Sequence, residues 1–356
     1  MSLPVPDSRR LSRLAPALLL AGASAAIACP LAPSAAAAHS LAARQPRVGM
    51  PSFTVMLRPS TPPTAGASQA GPSSAVRVLI IHYRAHNGQV RRAFVELPAW
   101  YGPRRHPPIP LIISPHGRGI PAKDTIRRWG DLPAIGSFAL VHPEGQGHHL
   151  TIYAWGDPGD ISDLAKMATF LHRTLPWLRI DPRRIYAFGS SMGGQETLLL
   201  VARYPHLLAG AAAFDAPTNM AARYRDFSLL PDGPHLQQLA RIEFEGTPAT
   251  HPGAYAIRSP LYWARQIAFS GVPLQIWWST QDQVVANQTQ ESGQLYAEIM
   301  RLNPAAPARE FVGSWAHSME MRAVAGLPTA LGSLGLLPQP PVHSGGGSSL
   351  NPPPQA

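Results

Sequence analysis

The chain has 356 residues, a net charge of +10 and 45% hydrophobic residues, which allow one large globular domain with flanking segments. Its arginines are scattered, without a basic stripe carrying interleaved aromatic residues, so the charge does not indicate a nucleic-acid-binding protein. Cys29 is the only cysteine, which excludes an intrachain disulfide.

The N-terminal segment has the pattern of a secretory signal. Three arginines precede an Ala- and Leu-rich run over residues 14–28, which is too short to span a bilayer comfortably and is followed by small residues suited to cleavage. We therefore predict a signal peptide over residues 1–38 and a secreted protein without stable membrane insertion. Acylation of Cys29 as a lipoprotein anchor is an alternative, although the leucine usual before such a cysteine is missing.

Two further segments have compositions typical of disorder. Residues 39–75 and 339–356 are rich in Pro, Ser, Ala and Gly and show no sustained periodicity, so they cannot bury enough apolar surface to become ordered. We interpret them as a linker and a tail. Residues 76–338 remain as one domain, of a size typical for an α/β fold.

The domain begins with two apolar runs, residues 76–83 and 90–97, that flank Asn87-Gly88. An Asn-Gly pair between such runs predicts an antiparallel hairpin. Strands then alternate with helices, which predicts a mostly parallel sheet with helices on both faces, an α/β class. The predicted strands start near Ile109, Phe138, Ile185, Leu208, Leu274 and Arg309, and the helices cover residues 161–175, 195–204 and 288–302.

One interval is longer than a single helix requires. We interpret residues 216–268 as a small lid inserted between two strands of the sheet. Its aromatic residues either line a substrate pocket or pack the lid onto the core. These residues are Tyr224, Phe227, Tyr255, Tyr262 and Trp263.

The most informative motif is Gly189-Ser190-Ser191-Met192-Gly193, which lies between a strand-like and a helix-like segment. In that context a G-x-S-x-G pattern predicts a nucleophile elbow, a strained turn that exposes the central serine over a helix N-terminus. Ser191 is therefore the candidate nucleophile, while Ser190 should point toward the sheet.

A serine nucleophile needs a histidine as base and an acid that orients the histidine. In folds with such an elbow, the acid comes after the serine in the chain and the histidine comes last. Asp282 follows the buried strand that starts near Leu274, and His317 follows the next strand. Asp215, after an earlier strand, is the alternative acid. We prefer Asp282 because it and His317 flank one strand–helix–strand unit.

Donors for an oxyanion are predicted in the loop after the strand near Ile109. Its sequence is Pro115-His116-Gly117-Arg118-Gly119, in which glycines let an amide N–H face the developing charge. We assign the oxyanion hole to the backbone N–H of Met192 together with that of Gly117 or Arg118, and the sequence leaves these two open.

We predict no cofactor and no metal site. His148 and His149 with the nearby Asp157 were the strongest candidate ligands, but adjacent residues of a strand point to opposite faces. The pair is better interpreted as part of a hydrated loop.

Together these motifs resemble the α/β-hydrolase superfamily over residues 76–336, with the branch of prolyl-oligopeptidase-like domains, feruloyl-type esterases and polyhydroxyalkanoate depolymerases the most similar. The Ser-Pro-Leu-Tyr-Trp-Ala stretch before the acid-bearing strand adds to the resemblance. It implies a secreted serine hydrolase acting on small or polymeric carboxylic esters. A peptidase for short peptides and a non-catalytic binding protein of the same fold are the alternatives, and the sequence does not indicate an oligomeric state.

Overall fold

The computed structural model describes residues 54–56 and 75–338. The predicted signal peptide, the tail and most of the predicted linker lie outside the described residues. Within the linker range, Thr54–Met56 forms a short strand that pairs in parallel with the last strand of the sheet.

The described residues form one nine-stranded sheet. Its strands are β1 (Thr54–Met56), β2 (Val76–Arg84), β3 (Val90–Pro98), β4 (Ile109–Ile113), β5 (Ala139–Pro143), β6 (Ile180–Ser190), β7 (Gly210–Phe214), β8 (Leu274–Ser279) and β9 (Ala308–Gly313). They lie in the order β1-β9-β8-β7-β6-β4-β5-β3-β2. The hairpin β2–β3 and the pair β3–β5 are antiparallel, and every other neighbouring pair is parallel. The predicted mostly parallel sheet with an N-terminal antiparallel hairpin is confirmed.

The helices are α1 (Leu132–Gly136), α2 (Pro158–Ala165), α3 (Met167–Thr174), α4 (Met192–Arg203), α5 (Met220–Asp226), α6 (Gly233–Glu243), α7 (Pro252–Ile257), α8 (Ala264–Ala268), α9 (Ser292–Leu302) and α10 (Leu327–Ser333). The helix predicted over residues 161–175 is two helices, α2 and α3, separated at Lys166. The helix predicted over residues 288–302 is a 3₁₀ turn, Gln288–Gln290, followed by α9.

The sheet has an apolar core on each face, as successive side chains of β4 show. Leu111 and Ile113 belong to one buried cluster and Ile112 belongs to the other, because neighbouring residues of a strand point to opposite faces. Helix α4 packs into the first cluster and helix α10 into the second. A sheet covered on both faces needs runs of apolar residues in its central strands, and β4, β5 and β7 are buried throughout.

The predicted lid region contains helices α5 to α8 with 3₁₀ turns between them. It has an apolar cluster of its own, in which Phe227, Phe244 and Tyr255 are buried together with Met192 of α4. The lid is therefore packed on the helix that follows the elbow.

No helix in the described part of the chain has both the length and the apolar character that crossing a membrane requires.

Candidate active site

The elbow forms where β6 ends and α4 begins. Ser191 has φ 59° and ψ −128°, a conformation that costs a non-glycine residue about 1–3 kcal/mol. Its backbone N–H donates to Phe214 O at 2.8 Å, and its carbonyl accepts from Gln195 N at 3.0 Å. The strained residue is therefore held by β7 on one side and by the first turn of α4 on the other.

The glycines of the motif are required by close approach. A Cβ on Gly189 would lie 2.1 Å from Gly193 O, and a Cβ on Gly193 would lie 2.3 Å from Pro115 O. No side chain fits at either place. Because Gly193 approaches Pro115 so closely, the start of α4 lies against the loop that follows β4.

Ser190, the other serine of the motif, is turned away from this position. It is 3% exposed, and its Oγ accepts a hydrogen bond of 2.7 Å from Arg128 Nη1. Sequence reasoning placed Ser190 toward the sheet, but the arginine that holds it lies 62 residues away in the chain and has no sequence signal.

Asp282 and His317 meet at the carboxyl ends of β8 and β9. Nδ1 of His317 lies 2.7 Å from Oδ2 of Asp282, whose side chain is fully buried while that of His317 is 15% exposed. The other oxygen of Asp282 accepts from Val284 N and Val285 N at 2.8 and 2.9 Å. The acid is thus held by its own loop and directed at the imidazole.

This environment keeps Asp282 ionised. Burial alone would raise the pKa of the carboxyl, but hydrogen bonds from His317, Val285 and Gln288, with the charge of the imidazolium, outweigh it and hold the pKa below its usual range. An ionised acceptor at Nδ1 fixes the tautomer of His317, so Nε2 carries the lone pair that can take up a proton.

Asp215, the alternative acid, lies close to the pair. One carboxylate oxygen of Asp215, one of Asp282 and one ring nitrogen of His317 lie within 4.8 Å of one another. Burial raises the pKa of Asp215 to about 7, and the negative charge of Asp282 adds to that rise. Both acids follow buried strands, and the sequence favoured Asp282 only by its place in one strand–helix–strand unit with His317.

The hydrogen bonds of Asp215 connect it to the loops on either side. Its oxygens accept from Ser279 N at 3.1 Å, Trp315 Nε1 at 3.0 Å and Ser318 N at 2.8 Å. Asp215 therefore links the end of β8 to the loop that carries His317.

The predicted oxyanion loop is anchored by a histidine that sequence reasoning did not single out. His116 is fully buried, its Nδ1 lies 2.8 Å from Gly117 O, and its Nε2 accepts from Gly145 N at 3.1 Å. Burial lowers the pKa of this imidazole, so it is neutral and Nδ1 is the donor. His116 fixes the carbonyl of Gly117 and joins the loops after β4 and β5.

The other predicted oxyanion residues are Met192, at the start of α4, and Arg118, within this loop. Met192 is the first residue of α4, where backbone N–H groups have no partner inside the helix, and its Sδ accepts from Trp155 N at 3.2 Å. Arg118 follows Gly117, and its guanidinium lies over the ring of Phe227, 5.7 Å from the centroid.

Two of the five aromatic residues predicted in the lid, Phe227 and Tyr255, are buried in the apolar cluster of this region. Phe244 and Tyr255 stack with centroids 4.2 Å apart, and Trp155 lies 6.0 Å from both Phe244 and Phe227. Tyr262, in contrast, is 61% exposed. Of the two interpretations left open by the sequence, packing applies to Phe227 and Tyr255.

A buried ionic network joins the lid to the loop before α2. Arg258 donates to Glu243 Oε1 at 3.0 Å and to Asp157 Oδ2 at 2.9 Å. Glu243 in turn accepts from the backbone N–H groups of His148 and His149. Asp157, which the sequence placed near the two histidines, is therefore paired with Arg258.

The carboxylate beside the two histidines is Glu245. It lies 3.0 Å from His149 Nε2 and 3.5 Å from His148 Nε2, and all three residues are exposed. The arrangement is a solvated surface cluster at the edge of the lid, with ligand-type atoms within 4.8 Å of one another.

Comparison with solved structures identifies the fold. The chain is similar to dipeptidyl peptidase 4 from Porphyromonas gingivalis, with a TM-score of 0.53 and 17% identity over 72% of this chain and 35% of that one. An esterase from Pyrococcus furiosus matches with a TM-score of 0.51 and 15% identity over 72% of this chain and 89% of that one. The chain has the α/β-hydrolase fold. An acylaminoacyl peptidase from Pyrococcus horikoshii matches with a TM-score of 0.53 and 15% identity over 70% of this chain and 39% of the peptidase chain.

A curated relative is similar in sequence over part of the chain. Poly(3-hydroxyalkanoate) depolymerase C from Paucimonas lemoignei is 30% identical over 110 residues, which are 29% of this chain and 27% of the relative. The match thus spans about a quarter of that relative, and no family model matches the chain. The resemblance to peptidases, esterases and depolymerases of this fold is confirmed.

Proposed function

We propose that this α/β-hydrolase is a serine hydrolase that cleaves carboxylic esters through an acyl-enzyme. The observation that carries the proposal is the 2.7 Å pairing of His317 with Asp282 at the carboxyl ends of β8 and β9. Ser191 lies at the carboxyl end of β6 in the same sheet, on an elbow that holds it in a strained conformation. Carboxyl ends of parallel strands meet along one edge of a sheet, where such folds place their sites.

Each residue has a distinct part in the proposed reaction. His317 takes the proton of Ser191 at Nε2 as the serine oxygen attacks the ester carbonyl, and Asp282 orients and stabilises the imidazolium. The backbone N–H of Met192, with that of Gly117 or Arg118, stabilises the oxyanion of the tetrahedral intermediate. The alcohol leaves with the proton from His317. Water activated by the same histidine then releases the acid and restores the serine hydroxyl.

Ester cleavage is favoured over peptide cleavage by the curated relative, a depolymerase by name. The solved peptidases share the fold, but this chain covers only 35% of one and 39% of the other. A peptidase that acts on short peptides is the second candidate function. The proposed substrates are small or polymeric esters, and the signal-like N-terminal segment supports a secreted enzyme.

The first test is the identity of the nucleophile. Ser191→Ala should lower kcat for p-nitrophenyl esters by about 10⁴ to 10⁶ and abolish labelling by a fluorophosphonate, because the elbow presents only this hydroxyl. Ser190→Ala is the matched control and should keep both, since Ser190 Oγ is engaged by Arg128. Labelling of Ser191→Ala with loss in Ser190→Ala would contradict the assignment, and absence of labelling in the wild type would favour a binding protein.

Substrate class is tested with the same preparations. A series of p-nitrophenyl esters of rising chain length should be run beside feruloyl esters and Pro-nitroanilides. Higher kcat/KM on the esters is the expected result. Preferred cleavage of the Pro-nitroanilides would instead support the peptidase.

A further inference from the structure

The guanidinium groups of Arg223, which is buried, and Arg118, which is half-buried, lie on one aromatic ring beside the candidate oxyanion loop. The Cζ atoms of Arg118 and Arg223 are 5.7 and 4.8 Å from the centroid of Phe227. Arg223 is only 3% exposed, so it extends from α5 into the interior of the lid region and not into solvent. Each guanidinium has a buried Nη1 atom without a hydrogen-bond partner.

The hydrogen bonds of these arginines leave a buried donor of each one unpaired. Arg118 makes no side-chain hydrogen bond to any residue in the described ranges 54–56 and 75–338, and Arg223 donates only to the carbonyl of Val284. An arginine has five N–H donors, and leaving buried donors unpaired costs free energy. Two incompletely paired guanidiniums on the same ring therefore point to a missing acceptor.

Nearby carboxylates do not neutralise the pair. Among the described residues neither arginine has a carboxylate within ion-pair distance. The carboxylates whose charge acts on Arg223 are those of Glu291, Asp226 and Asp282. Glu291 Oε2 accepts from Thr218 and Asn219, and its buried Oε1 has no hydrogen-bond partner. Burial raises the pKa of Glu291 to about 7, so near neutrality it carries only part of a negative charge.

Both arginines stay positively charged. Burial, with the charge of Arg118 beside it, lowers the pKa of Arg223 to about 10, which is still well above neutral pH. Two like charges in a poorly solvated place repel each other, and an anion between them would relieve that repulsion. Guanidinium groups match a carboxylate particularly well because they donate two parallel hydrogen bonds.

The pair lies between the parts of the proposed catalytic machinery. Arg118 directly follows Gly117 in the loop against which α4 packs, and Val284, the acceptor of Arg223, also donates its N–H to Asp282 at 2.8 Å. The Phe227 ring belongs to the same buried cluster as Met192. A group bound by the two arginines would therefore be part of a molecule that reaches the elbow.

We propose that Arg118 and Arg223 form a carboxylate-binding subsite, so that the enzyme prefers esters carrying a second, free carboxylate, such as the half-esters of dicarboxylic acids. This inference rests on the proposed esterase function for its catalytic consequence. The guanidiniums bind the free carboxylate and thereby place the ester carbonyl of the same molecule at Ser191.

The kinetic test compares esters that differ only in the free carboxylate. Monoethyl succinate, glutarate and adipate are each measured against the neutral ester in which a methyl group replaces the carboxylate: ethyl butanoate, pentanoate and hexanoate. We expect kcat/KM for the charged ester of at least one pair to exceed that of its partner by about tenfold or more, the effect of one charge-assisted hydrogen bond. Equal or lower kcat/KM for all three charged esters would overturn the subsite.

Variants assign the preference to Arg223. Arg223→Gln should reduce the ratio of kcat/KM within the preferred pair by about tenfold, in addition to any loss that both esters share through the contact of Arg223 with the acid loop. Arg225→Gln is the matched control, because Arg225 lies on the same helix but is exposed, and it should keep the preference. An Arg223→Gln variant that loses activity on both esters equally, with the ratio unchanged, would show that Arg223 only supports the acid loop. If Arg223→Gln does not fold, Arg223→Lys serves instead and should weaken the preference, since it keeps the charge but loses the paired donors.

A binding measurement separates this inference from the catalytic proposal. Ser191→Ala protein should bind glutarate saturably in a calorimetric titration, and the additional change Arg223→Gln should abolish that binding. Binding without ester cleavage by the wild type would sustain the subsite and refute the esterase. Ester cleavage without glutarate binding and without a charge preference would refute the subsite and sustain the esterase.

Discussion

Asp282 and Asp215 are both buried beside His317, and their hydrogen-bond partners distinguish their roles. Asp282 accepts from the imidazole itself at 2.7 Å, whereas Asp215 accepts from Ser279, Trp315 and Ser318, which position the loop around the imidazole. The first can control the tautomer and charge of the base directly. Asp215 acts on His317 only through the loop that it holds in place, so it is a positioning residue.

This difference predicts unequal effects of removing each charge. Asp282→Asn should lower kcat for an activated ester by about 10⁴, the loss that a matched change causes in serine proteases, in a protein that still folds. Asp215→Asn should reduce kcat far less but lower the free energy of unfolding by about 1–3 kcal/mol, because an amide has one accepting oxygen where the carboxylate uses two. Steady-state kinetics and urea unfolding of both variants are the measurements. A larger kcat loss in Asp215→Asn would transfer the role of acid to β7.

Secondary-structure elements bring these residues together by ending at one edge of the sheet. Ser191 follows β6, Asp215 follows β7, Asp282 follows β8, and His317 follows β9, in four neighbouring strands. Helix α4 then places its N-terminal N–H groups at Ser191. The site therefore depends on the register of the parallel strands more than on any single loop.

Part of this arrangement could be predicted from the sequence. The elbow could be predicted because its requirement is local: a strand, a strained serine and glycines at positions that admit no Cβ. The break at Lys166 within the predicted helix over residues 161–175 could not, because apolar periodicity continues through it. Contacts such as that of His116 with Gly145 or of Arg128 with Ser190 join distant segments, and no pattern along the chain signals them.

Helix α2 contains a buried acid that links stability to pH. Asp160 is 2% exposed, and only one of its oxygens has a partner, the N–H of Gln146 at 3.1 Å. Burial raises its pKa to about 8, and the charges of Asp157 and Asp163 add to the rise. In the folded protein Asp160 is therefore neutral at a pH at which the unfolded chain has already lost the proton.

The difference between the folded and unfolded pKa of Asp160 determines how the stability changes with pH. A carboxyl whose pKa is higher when folded contributes stability that is complete below its unfolded pKa and is lost as the pH rises through the folded value of about 8. Asp160→Asn mimics the neutral form, so its free energy of unfolding relative to the wild type should increase from pH 5 to pH 8. Urea unfolding across this range is the measurement, with Asp124→Asn, at an exposed position, as the control. Parallel curves for Asp160→Asn and the wild type would contradict the prediction.

In the molecule as a whole, the separate apolar cluster of the lid region is tied to the sheet by residues from outside the lid. The lid cluster includes Trp155 from the loop before α2 and Met192 from the elbow helix, and the Arg258 network bonds Glu243 of α6 to Asp157. Opening the lid region would expose these aromatic rings to water, which is unfavourable. A region that is joined this closely to helix α4 is expected to unfold with the sheet, not before it.

The last prediction tests this coupling. Phe244 is 2% exposed, stacks on Tyr255 at 4.2 Å and lies under the Arg258 guanidinium, so Phe244→Ala should cost about 3–5 kcal/mol and lower Tm by about 6–15 °C. Phe269→Ala, at a 58% exposed position, should leave Tm nearly unchanged. Thermal unfolding is followed by far-ultraviolet circular dichroism, which reports on the helices and the sheet, and by tryptophan fluorescence, to which Trp155 of the lid cluster contributes. The two transitions should coincide in the wild type and shift together in Phe244→Ala, because the cluster that loses the ring contains Met192 of the helix packed on the sheet. A separate fluorescence transition at lower temperature, with the circular dichroism transition unmoved, would show instead that the lid unfolds on its own.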